Sequence, residues 1–185
     1  MELQDHFLIA MPQMDDSYFH RAVIYLCEHN ERGSMGIMLT HQTDLSLAEL
    51  AAKLNFMMAD NRIYPNQYAL LGGPVTPERG FILHTKTAQT FAHSYQVSEQ
   101  LTLTTSEDII EILGTERQPE KFLISIGCSS WAANQLEREI AENCWLVAPS
   151  NEHILFDVPP ESRWQAAQQL LGIEQMNLVG DAGYC

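Results

Sequence analysis

Apolar and polar positions fall into short blocks along the chain, and the spacing within them shifts between the strand period of two and the helical period of about 3.6. Phe7–Met11 and Ala22–His29 are apolar runs rich in the branched and aromatic residues that strands favour. Met14-Asp15-Asp16-Ser17 supplies turn chemistry between them. Asn30-Glu31-Arg32-Gly33 then leads into Met35–Thr40, and a short Gly-bearing connection between two such runs predicts a β-hairpin. Further strands are predicted at Tyr68–Leu71, Gly80–His84, Leu101–Thr104, Phe122–Ile126, Trp145–Ala148 and Ile154–Phe156.

Helical spacing appears four times. Ser46-Leu47-Ala48-Glu49 has the capping-box pattern, with Leu47, Leu50, Ala51 and Leu54 on one face behind it. Ser106-Glu107-Asp108 places a cap and two acids ahead of Ile109, Ile110 and Leu113, and Gly114 stops that helix. Gly127-Cys128-Ser129-Ser130 is expected to turn a strand into a helix over 132–142. A last helix starts at Pro160 and runs through Leu171 to Gly172. Residues 173–185 read as an irregular tail. No repeat, low-complexity tract or linker interrupts the pattern, so residues 1–185 are expected to form one domain. Strands and helices interleave without a strict βαβ rhythm, which predicts an α/β fold of the α+β type: a mixed sheet packed by helices.

Composition narrows the partners. Among 185 residues, 24 Asp and Glu oppose 10 Lys and Arg, for a net charge of −14. Most of the acidic excess lies in the second half. Duplex DNA would repel that surface, so no direct nucleic-acid partner is expected. Phe7–Met11 is too short for a membrane span and lacks the basic flank of a signal peptide. Cys27, Cys128, Cys144 and Cys185 are scattered and form no CxxC pair, so they read as reduced thiols of a cytoplasmic protein.

An ordered set of short segments is more specific than composition. It comprises Phe7-Leu8-Ile9-Ala10-Met11-Pro12, Val23–His29, Met35-Gly36, Leu71-Gly72-Gly73-Pro74-Val75, Pro77-Glu78-Arg79-Gly80-Phe81 and His84. Leu103-Thr104-Thr105-Ser106, Trp131, Gln135-Leu136-Glu137 and Arg163-Trp164 complete it. In this order, across almost the whole chain, the set resembles the AlgH/YqgE family of bacterial proteins. The resemblance implies a mixed sheet curled into a barrel-like core with flanking helices, a cytoplasmic bacterial protein, and kinship with a proposed regulator of alginate biosynthesis. The chain departs from the family pattern at Gly127-Cys128-Ser129-Ser130-Trp131, where the family has Gly-Tyr-Ala-Gly-Trp, and at Asn134 in place of a later Gly.

Two stretches carry candidate chemistry. Gly127–Ser130 would deliver a thiol and hydroxyls to a helix N-terminus, where the dipole favours a thiolate or an anion. The nucleophile-elbow pattern is not met, because Trp131 stands where its last Gly belongs. On the plainer reading Ser130 caps the helix and Cys128 packs as a small apolar group. Gly72-Gly73-Pro74 with Arg79 could cradle an anion through backbone amides and a guanidinium, with His84 facing the same cleft. A tight turn explains the glycines equally well. Cys27 and His29 share a side of a strand but have no second ligand pair, so no metal and no cofactor is expected. Trp131, Trp145 and Trp164 read as core or groove lining rather than a nucleic-acid stacking platform, since their neighbourhoods are acidic.

The expected function is a non-enzymatic binding or regulatory protein with a ligand groove over Gly72, Gly73, Pro74, Arg79, His84, Cys128, Ser129 and Ser130. Its partner would be a small anionic ligand or a protein. The alternative is a small hydrolase or transferase with Cys128 or Ser129 as nucleophile and His84 or His153 as base.

Overall fold

The first two apolar runs are unbroken because both of their faces are covered. β1 (His6–Ala10) and β2 (Val23–Asn30) pair antiparallel, with Phe7 opposite Tyr25 and Ile9 opposite Val23. Phe7, Ile9, Val23 and Tyr25 pack in one cluster, while Leu8, Ala10, Ile24 and Leu26 pack in another. Alternate side chains of a strand point to opposite faces, so the two clusters flank the sheet. β3 (Gly33–Met38) follows through the two-residue turn Glu31-Arg32, with Asn30 paired to Gly33, and the predicted hairpin is formed.

The computed structural model describes residues 2–47, 49 and 67–172. Beyond the hairpin it contains β4 (Gln42–Ser46), β5 (Tyr68–Leu71), β6 (Val75–Thr85), β7 (Ser94–Gln96), β8 (Leu101–Thr104), β9 (Phe122–Ala132) and β10 (Trp145–Pro149). All belong to one sheet in the order β10-β1-β2-β3-β9-β6-β8-β7, with β5 also on β9 and β4 on β5. Every described pairing is antiparallel except β5 with β9. The fold is a single-domain α+β structure whose curled sheet forms a half-barrel.

β9 joins the two halves. Its first part pairs with β6, and its last part, Ser129–Ala132, pairs with Gly33–Gly36 of β3. The strand redirects at Gly127, which sits at φ +70. The curl encloses a core shared by both halves, containing Phe7, Tyr25, Ile37, Phe81, Leu83 and Leu103. A second cluster holds Leu8, Ile24, Trp131, Leu136 and Trp145, and a third holds Ile82, Ile124, Ile109 and Ile112.

Three α-helices are described: α1 (Gln135–Ala141), α2 (Glu152–Phe156) and α3 (Pro160–Leu170). α3 packs on the shared core through Trp164 and Ala167. Trp164 Nε1 donates to the Ala10 carbonyl at 2.9 Å, and Arg163 Nη1 donates to the Leu39 carbonyl at 2.8 Å. The Arg163-Trp164 pair therefore ties the last helix to the sheet by two buried hydrogen bonds.

Several expectations are corrected. Gly127–Ser130 is not a strand-to-helix turn, since β9 runs on to Ala132 and α1 begins only at Gln135. The backbone there is committed to a ladder with β3, so it cannot coil at Ser130. Ile154–Phe156 lies in α2, not in a strand, because the Asn151 side chain accepts from the Ile154 amide at 3.0 Å and caps a helix. The segment after Ser106 is a 3-10 helix, Glu107–Ile112, and Gly114 at φ +79 follows it. β6 starts five residues before Gly80: Val75 lies opposite Cys128 and Gly80 opposite Ile126, so Thr76–Arg79 form a large bulge. Ser46 and Glu49 make the reciprocal capping-box bonds. The remainder of that predicted helix and the tail at 173–185 lie outside the described residues. Cys27 and Cys128 are free and buried, whereas Cys144 is disulfide-bonded instead of reduced. Spacing along the chain holds no information about which sulfurs a fold brings within bonding distance.

Candidate functional site

Six of the eight candidate residues do meet. The Gly72–Pro74 segment runs against Gly127–Ser129, and the contact is backbone on backbone. A β-carbon on Gly72 would lie 2.4 Å from the Gly127 carbonyl oxygen, and one on Gly73 would lie 2.1 Å from that of Cys128. The Gly72 amide donates to the Ile126 carbonyl at 2.9 Å. The Gly72 carbonyl accepts from the Met38 amide and from Ser129 Oγ. These glycines thus serve close strand packing, and the Gly72 amide is not offered to an anion.

The nucleophile candidates face inward. Cys128 is 5% exposed, its Sγ lies 3.9 Å from Thr76 Oγ1, and burial pushes its thiol pKa up. Ser129 is 1% exposed and its hydroxyl is spent on the Gly72 carbonyl at 3.1 Å. His84 pairs with Phe122, six residues from Cys128 along β9, or about 20 Å at roughly 3.3 Å per residue. His153 bonds Asp157, which in turn bonds Lys121 beside Phe122. Neither histidine reaches the thiol or the hydroxyl. Iodoacetamide is therefore expected to modify Cys27 and Cys128 slowly in the native protein and rapidly in denaturant, read by peptide mass spectrometry. Native modification of Cys128 at the rate of an exposed thiol would restore the nucleophile reading.

His84 is a buried strut rather than a groove residue. Its Nδ1 lies 2.8 Å from the Thr85 carbonyl and its Nε2 lies 2.8 Å from Thr104 Oγ1. A carbonyl only accepts, so Nδ1 carries the proton and Nε2 accepts from the threonine. Burial lowers the His84 pKa. In the unfolded chain it binds a proton near pH 6.5, while in the fold it resists one. Its contribution is complete above that value and is lost as pH falls toward the lowered folded value. We expect melting temperature to drop from pH 7.5 to 5.5, and His84→Gln to show a smaller drop. An equal drop in both would assign the acid sensitivity elsewhere, with His41, also lowered by burial, the next group to test.

Arg79 sits exposed on the β6 bulge. It donates to Thr105 Oγ1 at 3.2 Å and lies 5.9 Å from the Phe81 ring centre. No described carboxylate pairs with it. Cys27 is the residue at which the β2–β3 register shifts, so the strand alternation that would align it with His29 is broken. Cys27 turns into the shared core, and His29 bonds Ser34 and approaches Glu137. Among the described residues no three His, Cys, Asp or Glu side chains assemble as metal ligands.

The notable concavity lies on the other side of this junction. Pro74 and Ser130 border a cavity of about 590 Å³ that also takes in the Met14–Phe19 connection, α1 and the start of β10. Such a volume lies within the range of roughly 300–1,000 Å³ usual for ligand sites. Trp131 and Trp145 meet edge to face, with ring centres 6.1 Å apart, and Phe19 meets Trp145 likewise at 5.7 Å. Glu139 Oε2 accepts from both indole nitrogens, at 2.9 and 2.8 Å. Gln135 Nε2 donates to its other oxygen. Asp16 accepts the amides of Tyr18 and Phe19. Asp15 and Glu142 add two more carboxylates, and the described lining holds no Lys, Arg or His. Sequence reading placed Trp131 and Trp145 as core or groove lining but treated Asp15-Asp16 only as turn residues. It missed Glu139, whose one local signal is its place four residues after Gln135 on a helix.

The model of the AlgH-like family (DUF179) matches residues 7–176. A UPF0301 protein of Mannheimia succiniciproducens is 63% identical over 185 residues, spanning 100% of both chains. A UPF0301 protein of Haemophilus influenzae strain 86-028NP is 56% identical over 179 residues, 97% of this chain and 96% of that one. The solution structure of the AlgH protein from Pseudomonas aeruginosa matches with a TM-score of 0.80 at 39% identity, covering 100% of this chain and 97% of its own. A crystal structure of a Corynebacterium diphtheriae protein matches with a TM-score of 0.71 at 21% identity over 96% and 90% of the two chains, which shows the fold alone. Among the described residues no helix is long and apolar enough to cross a membrane.

Proposed function

This chain belongs to the AlgH-like family, and from that premise we propose that it is a non-enzymatic binding protein whose partner is another protein. One observation carries the reading. At the junction of the Gly72–Pro74 segment with β9, the reactive groups of Cys128 and Ser129 turn inward, while Pro74 and Ser130 open onto the 590 Å³ cavity. The surface there is shaped for holding, and among the described residues neither His84 nor His153 reaches Cys128 or Ser129. A regulatory role would follow from occupancy of that cavity. Duplex DNA is not a partner on this reading, because the carboxylates at the cavity repel phosphate.

Two measurements test it. No turnover of p-nitrophenyl acetate or a simple thioester is expected beyond that of a Cys128→Ala, Ser129→Ala variant; turnover abolished by those changes would overturn the non-enzymatic part. A photo-crosslinking amino acid at position 130, which is exposed, is expected to trap a defined protein in cells, while the same group at Glu107 does not. Identical adducts from both positions, or none from 130, would overturn the location.

A further inference from the structure

We propose that the cavity beside Ser130 takes a lysine or arginine side chain of the partner protein, set on the aromatic floor with its charge among the carboxylates. This rests on the binding reading above and names the chemistry of its occupant.

The charge at the cavity is fixed before anything binds. Glu139 is held by two indole N–H groups and the Gln135 amide, and Asp16 is held by two backbone amides. None of these donors brings a full positive charge. Among the described residues neither Asp15, Asp16 nor Glu139 pairs with a Lys, Arg or His. Carboxylates fixed in place without a counter-charge need little reorganisation to receive a cation, which is the condition for useful electrostatic complementarity. The floor adds a second preference. Phe19, Trp131 and Trp145 are edge-to-face packed aromatics, and Met14 lies beside them. Trp131 and Trp145 are 6% and 3% exposed, so it is chiefly the half-buried Phe19 ring that can meet the charge or the methylene stem of a long basic side chain. An anion would meet Asp15, Asp16 and Glu139, and a purely apolar group would leave these three without a counter-charge.

The same features favour a protein over a small metabolite. Asp15, Asp16 and Glu142 are exposed at the rim, where a chain crossing the surface reaches them, and only Glu139 lies deeper. The net charge of −14 steers a partner in proportion to that partner's own positive charge, so a basic segment gains more than a single small cation.

The experiment uses the whole protein with defined probes, followed by calorimetry and by the indole N–H NMR signals of Trp131 and Trp145. The first probe is the blocked peptide Gly-Arg-Leu-Gly-Arg-Leu-Gly. Two others carry Gln or Glu in place of Arg, and arginine amide stands for the free small cation. The arginine peptide is expected to bind, to move both indole signals, and to weaken with added salt. Asp15→Asn with Asp16→Asn, two exposed positions, should weaken it at least tenfold, while Glu107→Gln with Glu111→Gln should not. Equal binding of the Gln peptide at the same signals would overturn the cation inference and leave the binding cavity standing. Arginine amide binding as tightly as the peptide would overturn the protein source of the cation. Equal weakening by the two double variants would reduce the effect to general charge and overturn the site. If no probe moves either indole signal, while photo-crosslinking at position 130 still traps a protein, only the cation inference falls; failure of both removes the cavity reading as well.

Discussion

Replacing Gly73 with alanine is expected to destabilise the protein by about 3–5 kcal/mol. The added β-carbon would lie 2.1 Å from the Cys128 carbonyl oxygen and 2.4 Å from the Ser129 nitrogen. Those atoms belong to a central strand and cannot rotate away as the end of a flexible side chain could. Overpacking a rigid site typically costs about 1–3 kcal/mol, and Gly73 also sits at φ +154, where a side chain adds strain of similar order. For a protein of this size each kcal/mol moves the melting temperature by roughly 2–4 °C, so a fall of about 10 °C is expected in a thermal melt. Gly80→Ala is the control, because a β-carbon there meets nothing within 4 Å. If the Gly73 variant melts within about 2 °C of the Gly80 variant, a range of roughly 1 kcal/mol, the segment and β9 are not held together as described.

Glu139→Ala is expected to cost about 2–4 kcal/mol and to disturb the floor of the cavity. It removes the acceptor of two indole N–H groups whose parent side chains are 6% and 3% exposed. A buried donor left without a partner costs about 1–3 kcal/mol. Part of that penalty returns if water enters the vacated space, which is why the range stops short of twice the single-donor cost. Glu139→Gln keeps one carbonyl oxygen and should recover about half of the loss. Urea denaturation gives the stabilities, and the indole NMR signals report whether the two tryptophans keep their places. Equal stability of the natural and alanine proteins would show that water already serves these donors. This prediction concerns the fold and stands whether or not the cavity binds a basic side chain.

The acid response expected of His84 and the slow alkylation expected of Cys128 have a common origin. Both side chains were chemically suggestive by type, and both are disarmed by burial, which opposes thiolate at one and imidazolium at the other. Residue type names a possible chemistry; the surrounding dielectric decides whether that chemistry is available.

What the chain determines locally is legible in its pattern. Phe7–Met11 and Ala22–His29 read as strands because their apolar runs reflect burial on both faces, and the Asn30–Gly33 hairpin follows from a turn that involves only its own four residues. The Ser46 and Glu49 capping bonds join positions three apart. The ordered segments from Phe7 to Trp164 identified the family and with it the curled sheet. Other decisions needed residues far apart in sequence. Whether Gly127–Ser130 coils or stays extended was never a local question: β3, about ninety positions earlier, supplies the ladder that keeps it extended. Gly72 and Gly73 looked like an anion cradle until β9, some 55 positions on, filled the space where their side chains would be. Asp15-Asp16 and Glu139 belong to two separate elements, and only the sheet order β10-β1-β2 brings the loop after β1 beside α1 and β10. Turn and capping hydrogen bonds and side-chain period act over a few residues and so are written in short words of sequence. Close backbone approach, burial and the field of gathered charges depend on which distant segments share a space, and that is settled only when the sheet closes.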